Sequence, residues 1–161
     1  MDAVAEKLAS LSRWTFASLS SYLDSKKGTF NAWYQGNDTP NPDWQAWAEV
    51  YMGGPRWRQV SHSWVTVQME VMIGLLVKDS VTDAHLPFRL RDQFANALNL
   101  GVIPCYRYGD TPGDDQSLIG CYTLRSDIKN PVDGYDYASV DPVTKLSRAT
   151  VEGYFTMGLS I

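Results

Sequence analysis

Between Asp2 and about Asp24 the residues Val4, Leu8, Leu11, Thr15, Leu19 and Tyr22 return at steps of three and four, which lays them along one stripe of a helix. Lys26-Lys27-Gly28 marks the expected end of that helix: basic side chains suit its negative terminus, and glycine permits a left-handed exit. The period then changes. From Ser63 to Val77 the odd positions are Val65, Val67, Met69, Val71, Ile73, Leu75 and Val77, while Thr66, Gln68 and Glu70 stand between them. That two-residue alternation predicts a strand with one buried face. A second alternating run closes the chain from residue 147 to 161, with Val151, Phe155, Met157, Leu159 and Ile161 at odd positions and Arg148, Thr150, Glu152 and Thr156 at even ones. Runs of fifteen residues span about 50 Å at strand rise, past the usual strand length, so these strands are expected to reach beyond their own domain.

Shorter elements fill the remainder. Residues 46–52 form an expected strand, closed by the turn formers Gly53-Gly54-Pro55. Thr82 or Asp83 is placed to cap a second helix, with Pro87 in its first turn, Leu90, Phe94, Ala97 and Leu98 on its apolar stripe, and Gly101 at its end. Residues 102–108 and 117–124 flank a turn-rich connection, 109–116, and predict a hairpin. Counting outward from Gly113 sets Cys105 opposite Cys121, expected as reduced thiols. An irregular stretch containing Asn130-Pro131, Asp133-Gly134 and Asp141-Pro142 follows. Residues 28–46 hold so many glycines, prolines, asparagines and aspartates that a long loop is expected, and Phe30, Trp33, Tyr34 and Trp44 suggest that it docks on a partner. The expected fold is therefore one α+β domain over residues 1–161. It has a mixed, mostly antiparallel sheet with two long strands, and two helices packed on one face.

Composition narrows the function. With 44% hydrophobic and 20% charged residues, 161 residues can build a core. The formal charge of −4 argues against wrapping nucleic acid by neutralising phosphates. The arginine pairs Arg56 with Arg58 and Arg89 with Arg91 fit a solvated face. No signal peptide is read at Met1-Asp2-Ala3-Val4-Ala5-Glu6, and the apolar stretch from Val71 to Val77 is too short for a membrane-spanning helix. His62 and His85 lack metal-ligand spacing, Cys105 and Cys121 make no zinc or redox pattern, and Asp110, Asp114 and Asp115 lack the spacing of an EF-hand. Glu49, Glu70 and Glu152 could in principle supply a carboxylate pair, but no nucleotide-binding or hydrolase motif accompanies them. No catalytic, metal-binding or cofactor-binding residue is expected.

Aromatic residues stand out: the chain has 6 tryptophans and 9 tyrosines. Trp47 and Trp64 fall on expected strands and are assigned to the core, whereas Trp33, Trp44 and Trp57 fall in or beside loops. Rigid amphipathic rings favour contact surfaces, so the candidate interface comprises Trp33, Tyr34, Trp44, Arg56, Trp57 and Arg58.

The order helix, long loop, strand, turn, long strand, helix, hairpin, long final strand resembles the tail terminator proteins of long-tailed phages. Trp47-Ala48-Glu49-Val50-Tyr51-Met52, then Gly53-Gly54 and the long strand, is similar to the first two sheet strands of such proteins, and Leu90 to Leu98 to the helix that follows. The resemblance implies a non-enzymatic virion subunit without cofactors, in the tail or neck, assembled in the host cytoplasm. It would form a homo-oligomeric ring, expected to be a hexamer, between the tail tube protein and the head-side connector. The length of the loop at 28–46 leaves another head–tail or tail-tip component open. An aromatic-rich carbohydrate-binding module is the rival from a different class.

Overall fold

In a computed structural model the described residues are 3–78, 85–99, 102–108, 117–124, 132–134, 139–140 and 146–160. They run α1 (Ala3–Lys26), β1 (Ala32–Tyr34), β2 (Ala46–Ser61), β3 (Trp64–Lys78), α2 (Leu86–Asn99), β4 (Ile103–Tyr106), β5 (Leu118–Leu124), β6 (Val132–Gly134), β7 (Ser139–Val140) and β8 (Leu146–Ser160). The strands lie in the order β1-β2-β3-β8-β5-β4. β8 is the hub: β3 pairs along one edge of it, and β7, β6 and β5 take the other edge in turn. Only the β1–β2 pair is parallel among these strands, so the sheet is mixed and mostly antiparallel, as the alternation predicts.

The helix stripe and the odd strand positions meet in one core. Leu11, Trp14, Leu19 and Leu23 from α1 and Leu90, Phe94 and Leu98 from α2 pack on the odd positions of β3 and β8. Each such side chain removed from water contributes roughly 1.5–3 kcal/mol. α1 ends where expected, with the Lys27 amide bonded to the Leu23 carbonyl at 2.8 Å and Gly28 at a φ of 64°. The Tyr22 hydroxyl donates to the Ala97 carbonyl at 2.7 Å, tying the two helices together.

Four expectations are corrected. The strand over 46–52 does not stop at Gly53-Gly54-Pro55 but continues to Ser61, because the sheet accommodates that triplet as a bulge. The partner sum slips by one between Gly53 and Arg56, Gly54 takes a φ of 96°, and a Cβ there would stand 3.1 Å from the Gln68 carbonyl oxygen. Proline is tolerated here because β2 beyond Val50 has a described neighbour on one side only.

Residues 28–46 are not wholly loop. Ala32–Tyr34 pair in parallel with Ala48–Val50, and the Asn31 carbonyl and Gln35 amide extend that ladder. A three-residue strand is shorter than any window in which periodicity can be read. The stretch expected to be irregular after β5 likewise contains β6 and β7, which follow the edge of β8.

Cys105 and Cys121 do not share a rung. Cys105 pairs with Gly120 and Cys121 with Pro104, and a shift after Cys105 upsets any count from a symmetric turn centre. The alternation of strand side chains therefore sends the two thiols to opposite faces, Cys105 buried and Cys121 half-buried, both free. The expected cap at Thr82 or Asp83, the stop at Gly101, the connection 109–116, Asn130-Pro131, Asp141-Pro142 and Ile161 lie outside the described residues.

Candidate interaction surface

One face of the long strands is covered by the helices; among the described residues the other is closed near Trp47 and Leu76, 8% and 3% exposed, and open from Met72 toward the tip. Register places its rows directly. Across β1, β2, β3 and β8, Trp33, Glu49, Gly74 and Thr150 form one row; Tyr51, Met72 and Glu152 form the next; then come Gly53, Glu70 and Tyr154. Before the bulge, odd residues of β2 face this side. After it, parity inverts, so Arg56 joins Gln68 and Thr156, and Arg58 joins Thr66 and Gly158. The bulge thus turns Arg56 and Arg58 onto the open face and turns Trp57, opposite Val67, onto the other.

Past the bulge, the outer half of β2 and the tip turn that leads to Trp64 form an exposed edge, the arm. Nearly every side chain of β2 there is exposed, including Trp57 at 50% and Val60. Trp64, at the base of the tip turn, is 46% exposed and lies over Gly158. A Cβ at Gly158 would come within 2.4 Å of the indole carbon Cζ2, so only glycine lets the ring lie there. Tyr51 and Met72 add apolar surface nearer the middle of the face.

The candidate residues separate. Arg56, Trp57 and Arg58 are exposed together on the arm, on two faces of it. Trp33 is half-buried at the sheet edge, edge-on to Tyr51 at 5.7 Å, with its indole N–H donating to the Asp38 carbonyl. Trp44 is also half-buried.

Tyr34 is a correction: its side chain is buried at 9% exposure, facing the core opposite Val50, and its hydroxyl donates to the Asp24 carboxylate and the Ser20 carbonyl. Burial first, and the Asp24 charge after it, push its pKa well above the usual phenol range. The assignment of both strand tryptophans to the core holds for Trp47, with its indole N–H on the Glu49 carboxylate at 3.3 Å, and fails for Trp64. Among the described residues no element covers the arm end on Trp64's side, where the ring is 46% exposed. The sequence signal that could have found the open patch is parity: Trp64 and Met72 occupy polar-face positions of β3.

The polar chemistry of the fold lies under the opposite face. Thr15 and Tyr122 hydroxyls meet at 2.7 Å, and the Tyr106 amide donates to Ser18 Oγ at 2.9 Å, both seating α1 on β4 and β5. Burial raises the pKa of Tyr122 and of Cys105; hydrogen bonds from Thr15, and for Cys105 also Ser18, oppose the rise. These groups are enclosed and serve packing. Among the described residues no group of three or more histidines, cysteines, aspartates and glutamates could hold a metal. A shallow pocket at the bulge, lined by Gly53, Arg56, Gln68, Met69, Glu70 and Tyr154, opens onto the same bare face. No helix among the described residues is long and apolar enough to cross a membrane.

Compared with known proteins, the chain matches no protein-family model, and no curated protein matches it.

Proposed function

We propose that this chain is a structural subunit of a homo-oligomeric ring at the end of a long-tailed phage tail tube, where it stops tube growth and joins the tail to the head-side connector. It works in the virion by holding partners and not as an enzyme. The observation that carries this reading is the arm: the outer half of β2 and the tip turn leave Trp57, Val60 and Trp64 exposed at the edge of the sheet. An isolated subunit gains nothing from leaving such surface in water, whereas an assembly buries it.

The carbohydrate-binding alternative is disfavoured by ring placement. A sugar platform needs rings aligned on one face, but Trp57 and Trp64 lie on opposite faces of the arm, and Trp33 meets Tyr51 at an interplanar angle of 62°. The deciding experiment is the mass of the purified native species by sedimentation or mass photometry. A closed oligomer that binds the ends of assembled tail tubes supports the proposal. A monomer at all concentrations that never binds tubes overturns it.

A further inference from the structure

From its middle to the tip, the open face carries its opposite charges in separate zones. Between Gly53 and Met69, and from Phe155 to Ser160, there is no aspartate or glutamate, while Arg56, Arg58 and His62 are exposed on the arm. Nearer the middle of the same face stand Glu70 and Glu152, beside Tyr51 and Met72. Arg58 shares a row with Gly158, six residues along β8 from Glu152. At strand rise that is about 20 Å, too far for the two side chains to meet within one copy. Among the described residues neither Arg58 nor Glu152 is held in an ion pair. Arg56 and Glu70 line the same pocket at the bulge, where the two zones adjoin.

We propose that the arm of one copy lies across the open face of a second copy, with Arg58 and Arg56 against Glu152 and Glu70 and with Trp64 against Tyr51 and Met72. This rests on the ring-subunit proposal and names the surface that builds the ring. Both halves of the contact are written into one chain, which singles out another copy as the occupant. The basic and acidic zones occupy different parts of the face, so each copy can give its arm to one neighbour and its face to another. Such a head-to-tail contact repeats, and it closes into a ring when its rotation permits. Opposite charges across the contact also set its register and exclude arm-to-arm approach.

Charge reversal tests this with the full-length chain. Arg58→Glu gives an acidic arm on an acidic face; Glu152→Lys gives a basic face beneath a basic arm. Each variant alone is expected to associate about tenfold or more weakly than wild type, with an unchanged melting temperature. Mixed in equal amounts, the two are expected to reassemble, because every arm then finds a face of opposite charge in the other variant. Raising salt is expected to weaken wild-type assembly. If wild type forms the ring but both variants form it equally well, or the mixture fails to restore it, or salt has no effect, this surface is wrong while the ring stands. If wild type is monomeric throughout, both proposals fall together.

Discussion

Met69 and Met72 are three residues apart on one strand, yet the first is 3% exposed and the second 39%. Trp47 and Trp64 show the same contrast between the two ends of the sheet's open side, at 8% and 46%. Residue type does not explain either difference. Met69 lies opposite Phe155 beneath the helices, and Met72 lies opposite Glu152 on the side that no described helix covers. The covered side is held by dense apolar packing, with a few polar groups fully satisfied within it. The open side buries Trp47 at one end and, from Met72 to the tip, keeps apolar and charged groups in water, which is the condition under which surface residues can serve a partner.

Replacing Phe155 with Asp should draw this line most sharply. A carboxylate would be buried among Leu98, Val71 and their neighbours without a partner, costing more than about 4 kcal/mol and abolishing cooperative folding in a urea or thermal melt. Wild-type melting would mean that the faces have been assigned the wrong way round.

Alkaline titration probes the covered side without mutation. Burial raises the pKa of Tyr34, Tyr122 and Cys105 above the ordinary values of 10.0 for phenols and 9.0 for the thiol. The unfolded chain therefore loses these protons first as pH rises. Stability from these groups is complete below about pH 9 and declines above it, through the window in which the unfolded chain ionises. A melting temperature that stays level from neutral pH to about 11 would contradict their enclosure.

Tyr122→Phe should have a smaller effect. It removes the buried hydrogen bond between Thr15 and Tyr122, at a cost of about 1–2 kcal/mol measured by denaturant unfolding, and it should make the alkaline decline shallower. Smallest of all is Met72→Thr on the open side, expected to change stability by no more than about 0.5 kcal/mol. A loss comparable with that of the Tyr122 variant would show that the open face is needed for folding itself, which would undercut its separate role.

The first helix, both long strands, the buried odd positions and the mixed sheet were legible in the chain because each repeats a period over many residues, and burial follows period. Leu11, Leu19, Val71 and Phe155 could be named as core from spacing alone. What spacing could not supply was everything that depends on a neighbour distant in sequence. Gly53-Gly54-Pro55 has the local character of a turn, and only the presence of β3 alongside makes it a bulge that prolongs β2 and inverts its parity. That inversion, not any property of Arg56 or Arg58 themselves, puts both arginines on the open face. Trp64 shares its residue type and strand setting with Trp47, and the elements packed around each decide which is exposed. Cys105 and Cys121 missed each other by one residue, since a single shift in a hairpin moves a side chain to the opposite face. Local sequence determined where the chain is helical or extended and which stripe is apolar. Register and coverage belong to the tertiary structure, because both are set by pairings between segments that lie far apart along the chain.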